Sequence, residues 1–243
     1  MQLHVLGSSS SGNCYLLESE RECLVLEAGI SFKEVKKKLD FNVSKIVGLL
    51  ATHEHGDHAK YIKDYLNTGI PIVMSKGTAS KTCGYFAECV KSEEHVQLGE
   101  FSVFAFEVHH DATEPLGYLI THHEMGTLVF LTDSYYCDFR FGQPNNILVE
   151  CNYKQSILDD NFEEGKFNKS LRDRTMKSHF ELNNTKEFLR MNRSSFLKNV
   201  VLLHLSDRNS DARLFQKECE EVTNKPTYIA EPGLSINLDL VPF

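Results

Sequence analysis

Within His53-Glu54-His55-Gly56-Asp57-His58, three imidazoles and a carboxylate crowd into less than two helical turns. So many lone-pair donors in one place make a cradle for metal. Only 11 of the 243 residues are His. Three fixed His and one fixed Asp arise by chance somewhere in such a chain with a probability on the order of one in a thousand. The bland alternative, a polar loop with scattered histidines, is opposed by the flanks. Ile46-Val47-Gly48-Leu49-Leu50-Ala51 is a short apolar run of buried-strand type. Downstream, Tyr61, Ile62, Tyr65 and Leu66 recur at helical spacing, predicting a helix from Ala59 to Leu66 ended by Asn67-Thr68-Gly69 turn chemistry. The motif therefore belongs on a strand-to-helix loop at the carboxyl end of a strand, where sandwich and α/β folds build their sites.

A hydrophobic content of 41% over this length supports a real core. With no linker, repeat or low-complexity stretch, residues 1–243 read as a single domain. No apolar run reaches membrane-spanning length, and Met1-Gln2-Leu3-His4-Val5-Leu6 reads as a first strand rather than a signal peptide, so a cytoplasmic protein is expected. Seven cysteines, odd in number and without a C-x-x-C pair, are expected as free thiols, Cys137 being the only one near another motif. The net charge of −8 opposes nonspecific duplex binding through a broad basic surface. Local patches remain open. Between Lys166 and Lys177, the residues Lys166, Lys169, Arg172, Arg174 and Lys177 oppose only Asp173, which fits either a solvated helix face or a surface facing phosphate. Lys36-Lys37-Lys38 reads as a solvated helix end.

Strands are expected at Leu3 to Leu6, Tyr15 to Glu18, Cys23 to Leu26, Ile46, Ile72 to Met74, Phe101 to Val108, Leu116 to Thr121 and Thr127 to Leu131. Helices are expected from Phe32 to Leu39 and around Thr78 to Cys83. The second half predicts a strand at Ile147 to Glu150, two helical stretches from about Ser170 to Arg190, a strand at Val200 to Leu203, a helix from Ala212 to Val222, and closing strands at Thr227 to Ile229 and Ser235 to Leu238. Many short strands with grouped helices point to an α/β (α+β) four-layer αβ/βα sandwich. Periodicity alone does not separate this from a doubly wound sheet.

Two cations a few Å apart need more groups than the motif supplies. Further candidates stand at strand ends: His110 in Val108-His109-His110-Asp111-Ala112, Asp133 in Leu131-Thr132-Asp133-Ser134, and His204 in Leu202-Leu203-His204-Leu205-Ser206. As a whole the pattern resembles the metallo-β-lactamase fold superfamily, whose motifs are a strand-ending acidic residue, H-x-H-x-D-H, a His, an Asp and a final His. Within it, Leu6-Gly7-Ser8-Ser9-Ser10-Ser11-Gly12-Asn13-Cys14-Tyr15, His110-Asp111-Ala112, Glu114-Pro115-Leu116-Gly117-Tyr118, Glu150-Cys151-Asn152-Tyr153 and His204-Leu205-Ser206 are similar to the YycJ/WalJ group of DNA exonucleases, related to ribonuclease Z.

The resemblance implies that His53, His55 and His110 hold one metal, that Asp57, His58 and His204 hold a second, and that Asp133 bridges them. His109 competes with His110, and alternation along the strand together with the family match favours His110. Glu27 stands where the superfamily usually has Asp, a supporting position. His179, in Lys177-Ser178-His179-Phe180-Glu181, keeps only the His of a Gly-His-Leu-Ser-Asn stretch. A capping role and a catalytic one are both open for it.

Nitrogen and oxygen ligands without thiolate leave open coordination positions, as catalytic rather than structural sites do; zinc suits them, and manganese is the alternative. The implied activity is phosphodiester hydrolysis of nucleic acid, DNA before RNA, from an end, through a hydroxide bridging two ions. Asp57 and His179 are the catalytic candidates, with Arg172, Arg174 and Lys177 on neighbouring phosphates. The competing enzyme reading is a cyclic-nucleotide phosphodiesterase, lactonase or thioesterase, which the acidic charge favours. A silent binding protein is disfavoured because every ligand position is filled. The Gly7 to Asn13 loop is read as a hairpin turn, with backbone capture of an anion as the alternative. A homodimer is left open.

Overall fold

The computed structural model describes residues 1–241, the side chain of Tyr85 excepted. Strands β1 (Gln2–Ser9), β2 (Gly12–Glu18) and β3 (Cys23–Leu26) lead to helix α1 (Phe32–Lys38). Then β4 (Ile46–Leu50) leads to α2 (Gly56–Ala59) and α3 (Ile62–Leu66), and β5 (Ile72–Met74) to α4 (Lys76–Thr82). Six strands follow: β6 (Glu88–Cys89), β7 (His95–Leu98), β8 (Phe101–Glu107), β9 (Leu116–His122), β10 (Gly126–Leu131) and β11 (Asn146–Glu150). The chain continues through α5 (Gln155–Glu163), α6 (Lys169–Ser178), α7 (Leu182–Asn192), β12 (Asn199–Leu203), α8 (Ala212–Thr223), β13 (Thr227–Ile229) and β14 (Ser235–Asn237).

The strands form two seven-stranded sheets, in the orders β14-β1-β2-β3-β4-β5-β6 and β13-β12-β11-β10-β9-β8-β7. Each has a parallel half and an antiparallel half. β3, β11 and β12 are buried along their whole length, because a strand covered on both faces must be apolar on both. Alternation then decides which layer each side chain joins. Leu128 and Phe130 of β10 face the opposite sheet, whereas Val129 and Leu131 face the helices.

Three apolar layers result. The middle one lies between the sheets and contains Leu3, Tyr15, Phe101, Tyr118 and Phe130. Outside the first sheet, Leu16, Val25 and Leu49 pack on Phe32, Val35 and Tyr65; outside the second, Val149 and Leu202 pack on Phe180, Phe188 and Phe215. This is the four-layer sandwich, and it excludes the single doubly wound sheet.

One expected element needs correction. The helix expected over Ala59 to Leu66 is two short helices, and the first begins inside the metal motif, where the amides of His58 and Ala59 both donate to the His55 carbonyl (3.0 and 2.8 Å). It breaks at Tyr61, whose amide donates to the Ala28 carbonyl (2.9 Å) rather than continuing the helix. Helix α5 and strand β7 are not legible as periodic segments. The Gly7 to Asn13 segment is a hairpin, with Ser9 paired to Gly12 and Ser10-Ser11 at its tip. All seven cysteines are free thiols, and no helix among the described residues is long and apolar enough to cross a membrane.

Phe130 is fully buried and meets Tyr15 edge-on across the sheets at 5.5 Å between centroids. Phe130→Ala should lower the free energy of unfolding in urea by about 3–5 kcal/mol.

Candidate metal centre

The polar side chains of this centre stand where strands end, and three reach it through left-handed backbone. Glu27 after β3 (φ 68°), Asp133 after β10 (φ 42°) and His204 after β12 (φ 52°) all have positive φ without being glycine. Each such residue costs on the order of 1–3 kcal/mol and persists only where packing over-determines it. The twist swings the side chain from the strand line into the cleft. The His53 to His58 loop follows β4, His110 lies beyond β8, and Glu150 ends β11. Gly29 admits the loop, because a Cβ there would lie 1.7 Å from the Asp57 carbonyl oxygen.

Two groups of ligand atoms result. His53, His55 and His110 form one; Asp57, His58, Asp133 and His204 form the other, and within each the atoms lie within 4.8 Å of one another. His55 Nδ1 is 3.1 Å from His110 Nε2. Asp57 Oδ2 is 3.3 Å from both His58 Nε2 and His204 Nε2. Asp133 spans the groups: its Oδ2 is 3.2 Å from His58 Nε2 and 3.7 Å from the Nε2 atoms of His53 and His110.

Whether these residues fit metal is decided by their outer nitrogens, since a ligating His needs its other N–H donated away from the ion. His53 Nδ1 donates to Thr52 Oγ1 (2.9 Å), whose own hydroxyl donates to Glu27 Oε1 (2.6 Å). His110 Nδ1 donates to the Ser178 carbonyl (2.8 Å). His58 Nδ1 faces Glu27 Oε1 at 3.4 Å, and His204 Nδ1 faces Asp133 Oδ1 and Glu150 Oε1 at 3.1 and 3.3 Å. The inner Nε2 of His53 is buried without a hydrogen-bond partner among the described residues, and that of His204 is buried facing Asp57 Oδ2 at 3.3 Å. An unpartnered inward nitrogen on His53, with the outer N–H groups of His53 and His110 held by Thr52 and the Ser178 carbonyl, is an arrangement that suits a cation.

Charge points the same way. Burial first, then the nearby His58 charge, holds the His53 pKa well below the usual imidazole value, leaving its lone pair free. Burial opposes a proton on His204, yet Asp133 and hydrogen bonds to Asp57 and Glu150 push its pKa up to about 10. Burial likewise opposes a proton on His58, and Asp133 and Glu27 outweigh it. Carboxylates that draw protons so strongly draw cations too.

His179 projects from extended backbone at the end of α6 and donates from Nδ1 to Glu150 Oε1 at 2.6 Å. Burial opposes its charged form, but the Glu150 carboxylate overrides this and raises the pKa. It borders a hollow of about 280 Å³ whose floor includes Asp57, Asp133 and His204 and whose wall includes Ser10, Leu171 and Arg174.

The basic stretch is divided. Arg174 stands in that wall, paired with Asp111 at 2.8 Å. Arg172 turns away to Asp159 (2.6 Å) and lies over the Phe162 ring. Lys177 is exposed and outside the wall. His110, not His109, joins the metal group; the His109 ring is held by Asp138 instead. Glu150 was missed as a site residue, although a strand-ending acid after Ile147-Leu148-Val149 repeats the pattern of Glu27. Asn13, whose amide lies 3.0 Å from His58 Nε2, carried no such signal.

A further cluster, Glu100, His122 and His123, lies elsewhere. His122 Nδ1 accepts the Glu124 amide (3.2 Å), so its proton sits on Nε2, facing Glu22 at 3.3 Å, and no lone pair remains for an ion.

The profile of the metallo-beta-lactamase superfamily matches residues 9–136. This is more than half of the chain, and the protein belongs to that superfamily. Over 225 residues it is 26% identical to the exodeoxyribonuclease WalJ of Streptococcus pneumoniae, covering 85% of this chain and 82% of the relative. Over 241 residues it is 25% identical to the exodeoxyribonuclease YycJ of Bacillus anthracis, covering 91% and 89%. The crystal structure of the metallo-beta-lactamase fold protein YhfI from Bacillus subtilis superposes with a TM-score of 0.73 at 17% identity, over 97% of this chain and 99% of that one. The superfamily and the His/Asp groups together imply divalent metal ions and metal-dependent hydrolysis.

Removing divalent ions with a chelator should lower the melting temperature by roughly 5–10 °C, and adding zinc or manganese back should restore it, because ions that bind only the folded chain stabilise it. An unchanged transition measured by calorimetry would contradict a metal centre here.

Proposed function

We propose that the protein is a cytoplasmic phosphodiesterase that shortens DNA from an end, with two divalent ions, zinc or manganese, held by His53, His55 and His110 and by Asp57, His58 and His204, and with Asp133 between them. The observation carrying this reading is that the two ligand groups meet at Asp133 on the floor of a cleft bordered by Arg174 and His179. The relatives named exodeoxyribonuclease support it. Two divalent ions held by these residues would supply Lewis acidity, lowering the pKa of water toward neutrality and offsetting charge on phosphoryl oxygens.

The chain's own groups do the rest. Asp57 and Asp133 fix ligand geometry, and Glu27, through Thr52, orients His53 and faces His58. Glu150 Oε1 accepts a hydrogen bond from His179 Nδ1–H and favours the imidazolium, whose Nε2–H donates its proton to the departing alkoxide oxygen and leaves a neutral ring. Arg174 offers a guanidinium to a neighbouring phosphate once it exchanges Asp111 for it. A small phosphodiester such as a cyclic nucleotide is the second reading. It is favoured by the internal pairing of Arg172 and Arg174, which leaves less free positive charge for a long polyanion.

The test is turnover of end-labelled single-stranded and duplex DNA, RNA, cyclic nucleotides and bis(p-nitrophenyl) phosphate by metal-loaded protein. DNA should be shortened from an end, and Asp57→Ala should abolish turnover of every phosphodiester. His179→Ala should slow DNA hydrolysis by about 10²–10⁴-fold. It should slow bis(p-nitrophenyl) phosphate far less, because p-nitrophenolate leaves without a proton. Turnover of cyclic nucleotides alone would transfer the assignment to the second reading.

A further inference from the structure

His109, outside both metal groups, sits in an aromatic setting. Tyr135 and Tyr136 follow Asp133 by two and three residues and are 41% and 52% exposed. The His109 ring lies 5.5 Å from Tyr135 at 31° between planes, and 6.2 Å from Tyr136 at 27°. The loop carrying these rings is tied down. The His109 amide donates to Ser134 Oγ (3.0 Å), the Tyr135 amide to the His109 carbonyl (3.0 Å), and the Ser134 amide to Glu150 Oε2 (3.0 Å). Asp138 fixes the His109 ring. Flat faces held rigid in water lose little entropy when something stacks on them.

Beside these rings is a hollow of about 400 Å³, bordered by His109, His110 and Tyr135 and, opposite, by Glu107, Thr113 and Glu114. His110 also borders the metal cleft, so the two spaces adjoin. None of the residues lining this hollow is Lys or Arg, and two are carboxylates. A phosphate is repelled there, whereas an uncharged ring with hydrogen-bonding edges is not. Arg174, paired with Asp111, borders the metal cleft, and Arg208, beside Asp207, borders the hollow of about 310 Å³ beyond His204. The metal cleft and the hollow beyond His204 thus each hold a guanidinium, and the hollow beside His110 holds the aromatic faces.

We infer that His109, Tyr135 and the hollow beside them form a stacking subsite for the unpaired base of the terminal nucleotide of the strand being cut. This rests on the phosphodiesterase reading and narrows its substrate class to single-stranded or frayed ends. Every base has a π face, so stacking holds the end without reading its sequence. A paired base cannot enter, because its faces are covered by its neighbours and its edge by its partner.

The test uses short single-stranded oligonucleotides with an intact terminus or an abasic residue at the 5′ or the 3′ end. Hydrolysis is followed with the metal-loaded protein, and binding with metal-loaded Asp57→Ala by fluorescence anisotropy. An abasic residue at one of the two ends should weaken binding roughly five- to a hundredfold, the span expected for one lost base–aromatic stack. Adding Tyr135→Ala should weaken the intact end to the abasic level and erase the difference, while Tyr135→Phe, which keeps the ring, should preserve it. Equal binding of intact and abasic ends, or discrimination that survives Tyr135→Ala, would overturn the subsite. Hydrolysis of DNA without such discrimination sinks the subsite and leaves the nuclease reading standing. Discrimination without hydrolysis by the metal-loaded protein does the reverse.

Discussion

Buried negative charge is the constraint on which the rest of this molecule depends. The side chains of Glu27, Asp133 and Glu150 are at most 3% exposed, and Asp57 joins them at the cleft floor. Each buried carboxylate costs several kcal/mol unless opposite charge or hydrogen bonds offset it. Imidazoles ring them for that reason, and Asp133 with its neighbours draws protons onto His58 and His204. Protons and divalent ions compete for one electrostatic well, so metal binding releases protons. The same well explains why the outer nitrogens of His53, His110 and His204 are anchored: a ring free to turn would carry its lone pair away from the charge it must balance.

The scaffold holds that charge in place. Three strands from two sheets end in left-handed residues, and a helical layer outside each sheet keeps those ends from relaxing. Gly29 lets the β3 end and the metal loop touch, where any side chain would push the Asp57 carbonyl aside. Glu150 ties the site's parts together, accepting from His179, facing His204 and accepting the Ser134 and Phe180 amides. One carboxylate thereby holds His204, His179 and the loop carrying Tyr135.

Much of this was legible in the sequence, because the histidine loop is dense and the strand ends recur. Alternation and apolar runs located most strands, since a covered strand must be apolar whatever its partners. They did not distinguish two sheets from one, because pairing across β14-β1 joins residues far apart in sequence. The ends of α2 and α3 escaped because a tertiary hydrogen bond from Tyr61 to Ala28, rather than local propensity, breaks the helix. Glu150 escaped because an acid ending a strand is ordinary until its partners are known. The charges of Arg172 and Arg174 were plain, but not that Asp159 and Asp111 would pair with them.

Anomalous X-ray scattering from crystals of the protein equilibrated with zinc tests the central claim most directly. Two peaks are expected about 3.5–4 Å apart, one among His53, His55 and His110 and one among Asp57, His58 and His204, with Asp133 between them. A single peak, or peaks only at Glu100, His122 and His123, would contradict it.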